Sequence, residues 1–306
     1  MTSESLPRFV FVLGTGRCGS SLVHEILAQH GDVGFLSNIE DRLRIPAISG
    51  RWNGPLYRRL PPAFTEKGRM RFAPSEGYRA LSREVSPMIA SPVRDLVASD
   101  AAPWLKDRFH RFFHRRANAQ ARDVFLHKFT GWPRARFIDA VMPEARFIHV
   151  IRDGRAVANS LLQMTWWQGY GGSDRWGWGA LPYHDQQAWE GAGRSFSVLA
   201  ALEWKVLMGA FAEAKAAIDP ERWIDVRYED LLRDPTSTTK QLMEFMGVEW
   251  TAAFDERFRR YRFQAERAEA FRRDLAPSDI SAMEAVLGAD LRTLGYPVST
   301  RKGSSS

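Results

Sequence analysis

Cysteine is nearly absent: Cys18 is the single one in 306 residues. That count excludes a disulfide-stapled scaffold and is compatible with a reducing compartment. No apolar run approaches the ~18–20 residues that a membrane-spanning helix needs. Internal repeats and long linkers are missing. No cluster of His, Cys, Asp or Glu has the spacing of metal ligands, so no metal is expected. The opening residues, Met1 to Pro7, have neither the basic start nor the long apolar stretch of a secretion signal. The expectation is therefore a soluble, cytoplasmic protein. Acidic residues are in deficit, 36 against 43 Lys and Arg, giving a formal net charge of +7. That excess favours anionic partners such as nucleotides, phosphorylated or sulfated ligands, nucleic acid or a membrane surface, and does not choose among them. What the chain has in quantity is material for burial: 11 Trp, 19 Phe and 7 Tyr within a hydrophobic share of 44%. Such a composition excludes disorder as the main state.

Residues 9–13 (Phe-Val-Phe-Val-Leu) read as a short apolar strand of the kind buried on both faces of a parallel sheet. A glycine-rich turn and a helix from Ser20 to His30 follow. The pattern recurs at 146–151, where a strand leads through Arg152-Asp153-Gly154 into a helix over 155–163. Further strands are predicted at 123–127 and 223–228, with helices at 134–142 and 194–218. Strands alternating with helices predict an α/β fold around a mainly parallel sheet, with helical layers against it. We expect one domain over residues 1–300 and a flexible tail at 301–306. Two stretches, 41–122 and 164–193, break the alternation and read as helical insertions that bind substrate.

Gly14-Thr15-Gly16-Arg17-Cys18-Gly19-Ser20-Ser21 has the frame of a nucleotide phosphate loop, with Ser20 where that loop carries lysine. The glycines let the backbone curl, its N–H groups converge on an anion, and the following helix adds its positive dipole end. The missing lysine separates this loop from ATP and GTP hydrolases. Arg17 is the cation available instead, and the strand 146–151 ends in Arg152 rather than an aspartate for Mg²⁺. Arg152 and Ser160, eight residues on, form a second candidate anion site: an arginine at a strand's carboxyl end and a hydroxyl two turns into the helix.

Together these residues resemble the PAPS-dependent sulfotransferase family, in which PAPS is 3′-phosphoadenosine 5′-phosphosulfate. The resemblance is to bacterial members and to the tyrosyl-protein and carbohydrate sulfotransferase branch. It implies a P-loop-like fold without the lysine. In that reading Thr15, Gly16, Arg17, Cys18, Gly19, Ser20 and Ser21 grip the 5′-phosphosulfate, and Arg152 and Ser160 grip the 3′-phosphate. Arg227-Tyr228-Glu229-Asp230-Leu231 with Asp234-Pro235 is similar to a third family feature and implies that Tyr228 lies by the adenine. The stretch from Phe271 to Tyr296 is similar to the tail of bacterial members, which implies that Arg272, or else Arg267 or Arg273, covers the 3′-phosphate.

The implied reaction is in-line attack by an acceptor hydroxyl or amine on the sulfur, releasing 3′-phosphoadenosine 5′-phosphate without a metal. Arg17 and Lys128 are the expected cations at the transferring group. For the general base, Glu40 resembles the glutamate of the tyrosine and carbohydrate branch, with Asp41 beside it and His127 as the rival. The alternative for Glu40 is an ion pair with Arg42 or Arg44. His24 and His30 read as packing or surface residues and His149 as a hydrogen-bonded core residue. The tryptophans of 164–193 read equally as a sugar-stacking surface and as the core of an irregular lid. The helix around Arg108 to Arg116 reads as a solvated face over buried Phe109, Phe112 and Phe113. The acceptor, of unidentified structure, is expected to be a carbohydrate or small metabolite, and neither a nucleic-acid partner nor a membrane span is expected. Two other classes compete: a P-loop kinase of nucleotides or small molecules, and a non-catalytic binder of polyanions or nucleic acid.

Overall fold

Strand β1, Arg8–Gly14, is buried along nearly its whole length and lies at the centre of a five-stranded sheet. In the computed structural model, residues 7–43, 47–60 and 72–299 are described; Arg44 and the expected tail at 301–306 lie outside them. The other strands are β2 (Val33–Phe35), β3 (Val124–Thr130), β4 (Arg146–Ile151) and β5 (Trp223–Arg227). Their order is β2-β3-β1-β4-β5, and every pair is parallel. The apolar runs read from the sequence require such burial, because a parallel strand has helices over both faces. The described residues fall into two compact units, those of 1–151 with 211–263 and those of 152–210 with 264–306. The whole sheet belongs to the first.

One face of the sheet is lined with aromatic rings. Phe9 and Phe11 of β1 meet Phe109 and Phe113 of the helix Pro103–Gln120, and Phe125, His127 and Phe129 of β3 alternate onto the same side. Burying each such ring contributes about 1.5–3 kcal/mol. Phe109, Phe112 and Phe113 are buried, as the Arg-rich helix predicted, and Arg108, Arg111 and Arg115 stay exposed. The opposite face carries α1, Ser20–Leu27, whose Ser21 bonds Lys128 of β3. Successive strand residues point to opposite faces, so His127 and Lys128 part company.

The helix read over 20–30 stops at Leu27, and two strand ends near the site differ from the sequence reading. β3 runs on to Thr130 rather than stopping at His127, so Lys128 lies within the strand. The ammonium tip finds partners at the strand's carboxyl end, which lets the charged residue continue an apolar run. β5 stops at Arg227, and Tyr228 opens the helix Tyr228–Arg233.

Strand register gathers the site-bearing ends. Gly14 pairs with Thr130 and Leu13 with His149, so β1, β3 and β4 finish side by side. The chain crosses to the other side of β1 between β3 and β4, which makes this edge the topological switch point where parallel sheets bind ligands.

Candidate active site

The loop after β1 is built from left-handed backbone. Gly16, Arg17 and Gly19 have φ of 84°, 54° and 96°. A non-glycine residue such as Arg17 adopts that conformation at a cost of about 1 kcal/mol or more, and such outliers concentrate at functional loops. Gly14 shows how tightly the loop curls: a Cβ there would stand 2.3 Å from the Cys18 Sγ. At Gly16 the position of a Cβ is open, with nothing within 4 Å. Gly19 caps α1 and has no side chain with which to bond the first-turn N–H groups. Thr15, Cys18 and Ser20 are buried, and Arg17 is exposed. Curled backbone, an uncapped helix start and an arginine at the mouth form a cradle that fits a phosphate or sulfate group. The Tyr228 ring seals one side, since a Cβ on Gly19 would stand 2.2 Å from its Cδ2.

Lys128 reaches this loop from β3. Its side chain is only 6% exposed, and Nζ donates to Ser21 Oγ at 2.6 Å. The ammonium is also 2.8 Å from Glu76 Oε1. Thr130 Oγ1 donates to the same oxygen at 3.0 Å and lies 3.1 Å from the Tyr78 hydroxyl. Glu76 carries no motif and sits 52 residues before Lys128, so nothing in the sequence pointed to it. Cross-strand reach from Thr130 in register with Gly14 is the only geometric hint, and it needs the fold.

The expected proton acceptors lie elsewhere. Glu40, in the short helix α2 (Asn38–Arg42), is sealed from solvent. Its Oε1 accepts from Arg116 Nε at 2.7 Å and its Oε2 from Asn53 Nδ2 at 3.0 Å. Burial pushes its carboxyl up from the ordinary range, against the pull of Arg116. Among the described residues the partner is thus Arg116 rather than Arg42, which bonds Asn38. Asp41 is buried too, its Oδ1 accepting from the Ala80 N–H at 2.9 Å. His127 stands among Phe11, Phe113 and Phe129 on the core face, and neither ring nitrogen has a hydrogen-bond partner. Burial lowers its pKa to about 3, so it is a neutral packing residue. His149 bonds Asp225 at 3.0 Å and stacks on Phe211.

The second motif is described within its own unit. Arg152 directly follows β4, and its Nη2 donates to the Arg267 carbonyl at 2.7 Å. The neighbouring Asp153 holds Arg155 at 2.6 Å. Arg155 is buried, also pairs with Glu284 of the helix Pro277–Thr293, and lies over the Phe271 ring. Ser160, in the helix Gly154–Leu162, is partly exposed. Asn159 of that helix donates to Asp274 at 3.1 Å. These contacts bring the strip 265–274, with Arg267, Arg272 and Arg273, against the Arg152–Ser160 segment. Arg272 is itself half-exposed, close to Glu269 and over Phe271.

The tryptophans of 164–193 divide. Trp176 and Trp189 are core, packed with Val198, Leu199 and Leu202, and Trp178 lies against them. Trp167 is buried and donates to Glu203 at 2.9 Å, while Trp166 is exposed. Among the described residues, no group of three His, Cys, Asp or Glu side chains is placed to hold a metal, and no helix is long and apolar enough to cross a membrane.

Comparison with known proteins agrees with this geometry. A family model described as the sulfotransferase family matches residues 7–252. No curated protein matches the chain. Among solved structures, sulfotransferase STF9 from Mycobacterium avium is 16% identical with a TM-score of 0.60, over 97% of this chain and 79% of that one. Sulfotransferase STF1 from Mycobacterium tuberculosis H37Rv is 17% identical with a TM-score of 0.52, over 89% and 77%. The sulfotransferase domain of the curacin biosynthetic pathway is 17% identical with a TM-score of 0.51, over 96% and 99%. At such identities the structures establish likeness of fold.

Proposed function

The chain belongs to the sulfotransferase family, and from that premise we propose that it transfers a sulfuryl group from PAPS to a hydroxyl or amine of an acceptor, a carbohydrate or small metabolite. The observation that carries this reading is the loop after β1. It keeps the cradle for an anion, replaces the hydrolase lysine with Ser20, and draws its cations from Arg17 and Lys128. Bound there, PAPS supplies an activated sulfuryl group on a phosphate leaving group.

The protein's own part is alignment and charge stabilisation. Residues 15–21 hold the 5′-phosphosulfate through loop N–H groups and the start of α1, an interaction worth about 0.3–2 kcal/mol for the helix end alone. Arg17 faces the bridging oxygen on which charge develops as the bond to sulfur breaks. Lys128, already at Ser21, turns its ammonium to the transferring group. Arg152 and Ser160 hold the 3′-phosphate, Arg272 closes over it, and Tyr228 lies by the adenine. Support for the 3′-phosphate assignment is the packing of the 265–274 strip on the Arg152–Ser160 segment.

The test is transfer itself. Incubation with PAPS and a panel of sugars, phenols and amines, read by mass spectrometry, should give sulfated product without added metal. Phosphorylated product from ATP with Mg²⁺, and none from PAPS, would overturn the reading in favour of a kinase.

A further inference from the structure

Glu40, Asp41 and His127 are all engaged or sealed, which leaves open what accepts the acceptor's proton. We propose that Glu76 is that base, and that Lys128 holds it in place until the donor binds. The assignment rests on the sulfotransferase reading.

Glu76 is positioned by backbone rather than by chance. The segment 73–77 is pinned along the end of β2: the Asn38 N–H donates to the Ala73 carbonyl at 2.9 Å and the Ser75 N–H to the Leu36 carbonyl at 2.8 Å. Gly77 turns the chain with φ of 65° and donates to Ser75 Oγ. The carboxylate is thereby held at the carboxyl end of β3. Its Oε1 is 2.8 Å from Lys128 Nζ, which is itself 2.6 Å from Ser21 of the phosphate loop. One side chain therefore separates this carboxylate from the anion cradle.

Exposure decides among the carboxylates. A base must meet the hydroxyl it deprotonates within hydrogen-bond reach. Glu76 is 31% exposed, whereas the Glu40 side chain is 0% exposed. Among the described residues, charged and titratable groups that face Glu76 include Lys128, Arg134, Tyr78 and His127. Burial holds Tyr78 and His127 in their neutral forms, so neither competes for the proton at neutral pH. Arg134 is fully buried and donates to the carbonyls of Thr130, Trp132, Ile89 and Ala90, which fixes the turn after β3. When the donor binds, Lys128 exchanges Glu76 for a sulfuryl oxygen, and the carboxylate is left to the acceptor. The acceptor oxygen then forms its bond to sulfur as the bond from sulfur to the 5′-phosphate breaks. That electron pair leaves on the phosphate, and the acceptor's proton passes to Glu76.

The test compares the full chain with its Glu76→Gln variant, which keeps the shape and loses the charge. Calorimetry with PAPS and with 3′-phosphoadenosine 5′-phosphate reads the affinity of each protein for donor and product. Both proteins should bind the bisphosphate with equal affinity, or E76Q more tightly. Turnover of PAPS with phenol and a sugar panel should fall about 100-fold or more in E76Q and lose its acid limb. Turnover within threefold across the pH range would overturn the assignment. Loss of bisphosphate binding by E76Q with its circular dichroism intact would make Glu76 a strut for Lys128 and overturn it as well. A wild-type chain that binds neither nucleotide would overturn the sulfotransferase reading, and this one with it.

Discussion

Glu203 is a carboxyl group whose ionisation should set how the stability of its unit depends on pH. It is buried and accepts from the indole N–H groups of Trp167 and Trp178, so it anchors the aromatic segment 164–193. Burial pushes its pKa to about 7, against the two indole bonds, from an ordinary value of 4.5. A folded-state value above the unfolded one means that the folded chain binds this proton more tightly. The resulting stability is complete below about pH 4.5 and is lost as the pH rises through about 7. The gap between the ordinary and the folded value, at about 1.36 kcal/mol per pH unit, makes the contribution about 3 kcal/mol. Glu203→Gln keeps an oxygen for the indoles and has no proton to lose. Urea unfolding, followed by tryptophan fluorescence from about pH 5 to 8, should show wild-type stability falling toward the variant's or below it as the pH rises. The difference between the two proteins should change by about 3 kcal/mol across that range. A constant difference at every pH would refute the reasoning.

Three further outcomes follow from the geometry. Gly19→Ala places a Cβ at 2.2 Å from the Tyr228 ring on backbone with φ of 96°, so calorimetry should show at least tenfold weaker binding of 3′-phosphoadenosine 5′-phosphate, partly restored by adding Tyr228→Ala. Glu40→Ala strands Arg116 in the core and should cost about 3–5 kcal/mol in urea unfolding, because a buried charge loses its partner. A loss below about 1 kcal/mol would mean that Glu84 alone satisfies Arg116. Lys128→Met keeps the buried stem and removes the ammonium. It should leave folding intact, and PAPS turnover should fall far more than bisphosphate affinity.

Much of this site could be read from the chain because its parts are local. The loop of 14–21 and the segment 152–160 each follow a strand whose apolar run is continuous, as burial on both faces of a parallel sheet demands. The groups that could not be read are those joined only by the fold. Glu40 and Arg116 are 76 residues apart, and Glu76 reaches Lys128 only because segment 73–77 is tied to the end of β2. His127 was legible in principle. It alternates with Phe125 and Phe129, which assigns it to the apolar face and Lys128 to the other. The end of β3 was misplaced because a lysine after an apolar run reads as a strand's exit, whereas here its ammonium is satisfied by Ser21 and Glu76.

The central claim is that the two motifs hold a nucleotide with both a 5′- and a 3′-phosphate. Calorimetric titration with 3′-phosphoadenosine 5′-phosphate, alongside ADP and ATP with Mg²⁺, tests it most directly. The account predicts micromolar binding to the bisphosphate alone, weakened about 10- to 100-fold by Arg152→Ala through loss of a charge-assisted contact. Tighter binding of ATP with Mg²⁺, or bisphosphate binding indifferent to Arg152, would contradict it.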